Sequence, residues 1–370
     1  MELSLPSRDY LDTDVFKREI ACIFSREWVA VCRAEEIPAA GDFQVVNLGA
    51  DSVLIVRGKN AQLRAFYNVC RHRGAQLCAP KNAVLKPGRA VLPSSVQTNG
   101  GIRCPYHAWT YDAEGALIGA PFLTDDPEFR REDFSLYPLG CEIWGGFVFI
   151  HGSPKEAKSL GDQMTQALAR IANYPLTDMR IGHRIRYEVD ANWKILCENY
   201  NECYHCGPVH PELCRLVPAF RMKGGAGLDW QDGIPHREGA YTFTWSGTTQ
   251  RAPFKGLSEA EKTKHKGELV YPNLWLSMAC DHVTAYILHP ISAHRTEVEC
   301  LFLFAQEEIA KPDFDHTDAS TFWEVTNQQD WAICERVQQG IASSQHKQGY
   351  YAPMEDMNLD MRRYIRERMK

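Results

Sequence analysis

The 370-residue sequence is 44% hydrophobic and 24% charged, an ordinary globular balance at a length that suits two domains better than one. Its net charge of -6 and pI near 6.1 give no support for a nucleic-acid or anionic-membrane partner. No run approaches the roughly 18 apolar residues of a membrane span. The opening "MELSLPSRDYLDTD" has no basic-then-apolar signal pattern. Thirteen cysteines, in a chain able to bury a core without staples, favour metal binding in a reducing cytoplasm over disulfides.

Residues 14–33, "DVFKREIACIFSREWVAVCR", place Phe16, Ile20, Ile23 and Trp28 at helical spacing and predict an amphipathic helix. From about Pro38 the period changes to two. Runs such as "FQVVNLG", "SVLIVRG" and "LRAFYNVC", broken by Gly, Asn and Asp, predict a small antiparallel β-domain that continues to "GGFVFIHGSP" at 145–154. After the linker-like "SPKEAKSLGD" come a helix near 160–173, strands, the helical "NWKILCENYNECYH", β-runs at "AYTFTW" and "VECLFLF", and a closing helix from about Thr321 to Ile341. The predicted class is α+β, divided into a helical segment 1–37 packing with the second domain, a β-domain 38–154, and a larger α+β domain 155–370 with an antiparallel sheet.

Two clusters carry chemistry. In the β-domain, "CRHRG" and "CPYH" supply Cys70, His72, Cys104 and His107, a C-x-H…C-x2-H set. Two thiols and two imidazoles at turn-like spacing can hold a tetrahedral zinc. Only one residue separates Cys70 from His72, where zinc hairpins place two or more, and each pair mixes one Cys with one His. That mixture suits a [2Fe–2S] centre with both thiolates on one iron and both imidazoles on the other, which raises its potential. Cys78 reads as a small buried hydrophobe.

If "WKILCENYNECYH" is a helix, Trp193, Leu196, Cys197, Tyr200 and Tyr204 line one side and Glu198, Glu202 and His205 another. Pro208 is expected to end that helix. On an unbroken helix His205 and His210 would diverge by about 140°, so the break lets both imidazoles reach one ion. A carboxylate would complete the facial triad of a non-haem Fe(II) site. Asp330 sits in an apolar stripe with Trp323, Cys334, Val337 and Ile341, and a buried carboxylate there needs either a cation or a partner such as arginine.

"CRHRGAQLC" with "CPYHAWTYDAEGAL" resembles the cluster motif of Rieske non-haem iron oxygenases. "NWKILCENYNECYHCGPVHPEL" with "TNQQDWAICERVQQG" resembles the catalytic-domain signature of the same family's α subunit. The insert "KNAVLKPGRAVLPSSVQTNGG" lengthens the gap within the first motif, and its composition reads as a surface loop extending one hairpin. The resemblance implies Cys70, His72, Cys104 and His107 as Rieske [2Fe–2S] ligands and His205, His210 and Asp330 as ligands of a mononuclear Fe(II). It also implies Glu202 as the carboxylate joining one subunit's cluster to the next subunit's iron. Asn199 is a candidate donor beside the metal, and Cys203, Cys206 and Cys214 are bystanders.

The family further implies O2 as cosubstrate, electrons from NAD(P)H through a separate flavin- or ferredoxin-type reductase, and a cytoplasmic homotrimer. Glu rather than Asp at position 202 resembles the subgroup oxidising quaternary ammonium compounds (carnitine, glycine betaine, choline, stachydrine). Monooxygenation or N-demethylation of such a small molecule is therefore expected. An aromatic ring-hydroxylating dioxygenase, and a Rieske electron carrier with a non-catalytic second domain, are the alternatives. Candidate substrate-cage residues are Tyr241, Phe243 and Trp245, alternating onto one face of a presumed strand, with Trp230, Tyr271, Trp275 and Tyr286. Asp281, His282, His289 and His294 receive no role.

Overall fold

The computed structural model describes residues 2–79, 101–123 and 128–370. They fall into two compact units, one formed by Met1–Ile23 with Gly161–Lys370 and the other by Phe24–Leu160. Gly101 apart, the long insert between the two halves of the first motif lies outside the described residues. None of the described helices is long and apolar enough to cross a membrane.

The Phe24–Leu160 unit contains an antiparallel six-stranded sheet. Its spatial order is Val29–Arg33, Phe147–His151, Pro138–Trp144, Leu63–Tyr67, Asp51–Arg57, Phe43–Leu48. A three-stranded sheet follows from Ile102–Arg103, Thr110–Tyr111 and Leu117–Gly119. The leading helix is shorter than its periodicity predicts. It holds over Thr13–Glu19, passes through a π-helical turn at Ile20–Phe24, and gives way to the strand Val29–Arg33, buried throughout. A run buried on both faces has no period of its own, so "VAVCR" reads equally as helix or strand until its partner, Phe147–His151, is known. Residues 24–37 accordingly lie in the β-unit rather than with the leading helix.

The other unit is built on a second antiparallel sheet ordered Met179–Val189, Arg295–Ala305, His282–Ser292, Leu274–Met278, Lys264–Val270, Ile234–Pro235. Helix Trp193–Tyr200 and the long helix Thr317–Ile341 pack on it. Tyr200 donates to the Leu276 carbonyl at 2.9 Å and stacks on Trp275, and Tyr286 donates to Asn327 at 2.8 Å. The long helix starts one turn before the predicted Thr321, where Asp315 accepts from the Thr317 backbone at 2.8 Å. It does not close the fold, because a further helix, Asp356–Arg368, follows it. Within the predicted stripe Trp323, Cys334 and Ile341 are buried, whereas Val337 faces outward.

Asn192 fixes the entry to the metal-bearing segment. Its side chain accepts from the Lys194 N–H at 3.1 Å as an N-cap and donates to the carbonyls of Tyr10 and Ala293. Two residues on, the fully buried Lys194 ammonium sits 2.6 Å from Glu19, which also accepts from the Trp193 indole at 2.8 Å. Replacing Glu19 with alanine strands a buried charge, and a loss of about 3–5 kcal/mol is expected. It is read as a lower urea midpoint at an unchanged m-value. A loss below about 1 kcal/mol would mean that Lys194 escapes to water.

Candidate cluster and metal sites

The two halves of the first motif fold into loops of the same design. The Cys70 N–H donates to the Ala75 carbonyl and the Cys70 carbonyl accepts from Gly74, while the Cys104 N–H donates to the Trp109 carbonyl and the Cys104 carbonyl accepts from Ala108. In each loop the fourth residue after the cysteine is left-handed, Gly74 at φ 70° and Ala108 at φ 60°. Alanine bears a steric cost at this φ that glycine does not. Ala108→Gly is therefore expected to stabilise the unit by about 0.5–1 kcal/mol, seen as a higher thermal midpoint. An unchanged or lower midpoint would count against strain in this loop.

The four side chains sort by type. Cys70 and Cys104 are buried in the unit's apolar core with Phe66, Trp109 and Tyr111, whereas His72 and His107 lie at its surface. The imidazole centroids are 4.8 Å apart and His72 stacks on Trp109. The thiols neighbour each other, and burial followed by the Cys70 contact raises the Cys104 thiol above its ordinary value. Among the described residues no three of these donors come within 4.8 Å of one another, as a single tetrahedral ion would require. A thiol pair inside and an imidazole pair outside fits a two-iron cluster with its histidine-bound iron at the surface. Tyr111 braces the site, with its hydroxyl 3.4 Å from Cys70 Sγ and accepting from the Arg71 N–H at 3.0 Å.

The second site depends on how the chain breaks after Trp193–Tyr200. The helix ends at Tyr200, a turn carries Glu202 to His205, a single helical turn spans Cys206–Val209, and a new helix runs Pro211–Leu216. This corrects the longer helix predicted from the sequence. Tyr204 is 52% exposed rather than on the buried side. Pro208 lies inside the short turn, where a missing N–H leaves no bond unmade. His210 is the non-helical junction residue at φ -119°, ψ 70°, which turns its ring back toward His205.

Among the described residues His205, His210 and Asp330 form the one His/Cys/Asp/Glu group whose donor atoms all lie within 4.8 Å. Asp330 Oδ1 is 2.9 Å from His210 Nε2 and 3.4 Å from His205 Nε2. Partners on the far ring nitrogens fix both tautomers. The Glu212 carboxylate can only accept, so the Gln329 amide nitrogen faces it at 3.1 Å and the amide oxygen faces His210 Nδ1 at 2.8 Å. Nδ1 of His210 thus carries the proton. Glu202 does the same for His205, its Oε1 2.6 Å from Nδ1 while Oε2 accepts from the backbone of Tyr204 and His205. Both Nε2 atoms are left as bare donors aimed at one point, as metal ligation requires. Burial pushes the Asp330 carboxyl up, and without a metal only protons on the two facing Nε2 atoms hold it low; a bound cation would take the place of those protons. Asn199 Nδ2 lies 3.4 Å from His205 Nε2. Glu198 turns elsewhere, accepting from Tyr10 and Tyr351.

A cavity of about 100 Å³ opens on this trio. Of the predicted cage residues, Trp230 and Phe243 line it, whereas Tyr241, Trp245, Tyr271, Trp275 and Tyr286 do not. The presumed strand at 240–245 is a hydroxyl-tied loop. Tyr241 donates its N–H to the Gly247 carbonyl, Thr244 Oγ1 to the Thr248 carbonyl and Tyr241 Oη to the Thr249 carbonyl. Trp275 and Tyr286 are buried behind Tyr200, Tyr271 stacks on Tyr364, and Trp245 is 46% exposed.

Tyr200, Phe220, His265, Ser277, Thr326 and Met357, absent from the predicted cage, line the cavity, as does Trp323. Asp281 and His282 acquire a part as well. Asp281 holds His282 Nδ1 at 3.1 Å, and His282 Nε2 accepts from the Trp323 indole at 3.4 Å, which fixes that ring in the wall.

A domain able to carry a Rieske cluster, joined to one with a two-histidine, one-carboxylate trio at a cavity, is the layout of a Rieske-type oxygenase. Residues 27–130 match the Rieske [2Fe-2S] domain and residues 176–370 match the ring hydroxylating alpha subunit (catalytic domain). The chain belongs to this family of Rieske non-haem iron oxygenases. It is 28% identical to the glycine betaine monooxygenase oxygenase subunit of Pseudomonas aeruginosa, over 94% of this chain and 85% of that one. It is also 28% identical to the carnitine monooxygenase oxygenase subunit of Acinetobacter pittii, over 92% and 85%. A solved quaternary ammonium Rieske monooxygenase, described for carnitine oxidation by gut microbiota and inter-subunit electron transfer, superposes with a TM-score of 0.75 at 25% identity, covering 100% of this chain and 96% of that one.

Proposed function

We propose that the chain is the oxygenase component of a monooxygenase that N-demethylates or hydroxylates a small quaternary ammonium compound. The observation that carries this reading is the cavity on the histidine–carboxylate trio, walled by the rings of Tyr200, Phe220, Trp230, Phe243 and Trp323. Aromatic faces attract an alkylated cation without asking for a hydrogen bond it cannot give. The Glu202 carboxylate on the same wall adds negative potential, while Glu268 is paired with Arg170 at 2.6 Å. The relatives named for glycine betaine and carnitine support the same class.

In this reading Cys70, Cys104, His72 and His107 hold the [2Fe–2S] cluster, and His205, His210 and Asp330 hold one iron. Together these centres supply single electrons and O2 activation. Glu202 and Gln329 keep the two ligand imidazoles in the Nδ1–H form. Trp323, fixed by His282, keeps the far wall rigid. For an N-methyl substrate the step balances as follows: the quaternary N-methyl ammonium ion, O2, two electrons and two protons give the N-hydroxymethyl ammonium ion and water. This carbinol then loses its C–N bond and splits to the tertiary amine, formaldehyde and a proton. A separate reductase drawing on NAD(P)H, and a cytoplasmic homotrimer in which Glu202 meets a neighbour's His72 or His107, complete the proposal. The surface position of those two rings and the inter-subunit electron transfer named for the relative support the trimer.

The test is purified oxygenase with a Rieske-oxygenase reductase, NADH and a panel of quaternary ammonium and aromatic compounds. Aldehyde formed in step with NADH oxidation on the ammonium compounds is expected. Turnover confined to aromatic rings, with cis-diol products, would contradict it.

A further inference from the structure

The cavity has a polar notch at one place on the sheet, centred on Gly267. His265 and Gly267 lie on one face of strand Lys264–Val270, two residues apart, and Ser277 is the cross-strand partner of Gly267. All three residues line the cavity. A Cβ at Gly267 would stand 3.1 Å from the Trp230 ring and 3.8 Å from His265 Nε2, so the missing side chain leaves a recess between an indole and an imidazole.

The chemistry of that recess is fixed from behind. His265 Nδ1 is 3.3 Å from the Met278 carbonyl, which can only accept, so Nδ1 carries the hydrogen and Nε2 presents a lone pair. Burial, reinforced by His236, lowers this imidazole to about 3, so it is neutral at physiological pH. Phe220, Trp230 and Phe243 surround it with their edges or faces. Across the strand pair the Ser277 hydroxyl is 4% exposed at the residue level, and no protein group among the described residues satisfies it. A buried hydroxyl without a partner is costly, which marks it as waiting for a ligand.

Building on the quaternary ammonium reading, we infer that the His265–Gly267–Ser277 notch receives a substrate hydroxyl. The class selected is thus an N-methylated ammonium alcohol rather than a betaine that lacks a hydroxyl. A hydroxyl satisfies both groups at once, donating to His265 Nε2 and accepting from Ser277. A carboxylate has no hydrogen to give Nε2, and it would set its charge against that lone pair. The notch lies in the cavity part near Phe243, which packs 5.0 Å from Trp323. Trp323 stands seven residues along the long helix from Asp330, about 10 Å by helical rise, so a short molecule could span the two ends.

The experiment uses matched pairs that differ only in CH2OH against COO−: choline with glycine betaine, and 4-trimethylammonio-1-butanol with γ-butyrobetaine. Holoenzyme and reductase are assayed for kcat/KM, and thermal shift reports binding independently of turnover. The alcohol of each pair is expected to lead by tenfold or more in kcat/KM and to give the larger shift. Ser277→Ala is expected to cut the alcohols' kcat/KM about tenfold through KM while leaving the carboxylates' value within twofold. Gly267→Ala, which fills the recess from a different position, is expected to shrink the same preference. Equal or better use of the carboxylates, or a Ser277→Ala effect shared by both members of a pair, overturns the notch assignment and leaves the ammonium reading intact. Turnover and binding of neither pair, with turnover of indole, overturns both.

Discussion

Asp330→Ala is expected to abolish substrate turnover and to lose the mononuclear iron while leaving the visible and EPR spectra of the cluster unchanged. Asp330 carries the oxygen that approaches both Nε2 atoms, at 2.9 and 3.4 Å, and two neutral imidazoles alone make a poor Fe(II) site. The cluster cysteines lie in the other compact unit, within its own apolar core, so they are insulated from the change. Iron analysis beside activity reads the result. Retained turnover, or loss of the cluster together with the iron, would sink the assignment of Asp330 as ligand. An electron carrier with an inert second domain would be indifferent to the substitution.

Glu202→Ala is the second large effect. Glu202 accepts a hydrogen bond from His205 Nδ1–H at 2.6 Å and anchors the turn through the Tyr204 and His205 N–H groups. Removing such a partner of a metal-ligating histidine typically costs about 10–100-fold in metal affinity or activity. If Glu202 also joins cluster and iron across subunits, iron-replete Glu202→Ala keeps a cluster that dithionite reduces, yet that cluster stays reduced when substrate and O2 are mixed in. Glu202→Gln separates the two roles, because its amide oxygen can still accept from Nδ1 and restore the ring's orientation. Stopped-flow reoxidation at wild-type rate in Glu202→Ala would show that the residue orients His205 and does no more.

The cluster motifs were readable because their chemistry demands particular residues at short range. The C-x-H and C-x2-H spacings survive any placement of the surrounding strands, and the two loops around Cys70 and Cys104 are closed by their own backbones. Asp330 was readable at a distance because a carboxylate in an apolar stripe is conspicuous, although the sequence alone left arginine and metal as equal partners for it. The cage was read less well. In "YTFTWSGTT" alternation suggests a strand, but five Thr and Ser residues within nine positions offer the backbone local partners, and the segment folds as a loop tied by Thr244, Ser246 and Thr249. That hydroxyl density was the available signal. His265 and Ser277 had no local signal, because their meeting depends on the register between two strands. The end of the leading helix failed for a similar reason, since the strand Val29–Arg33 is defined by a partner more than a hundred residues away.

The most direct measurement is iron and acid-labile sulfide in anaerobically purified protein, with EPR of the dithionite-reduced sample. About three irons and about two sulfides per chain, with a rhombic Rieske signal, are expected from one cluster and one mononuclear site. Zinc in place of iron, or a cluster with no third iron, would contradict the two-site account.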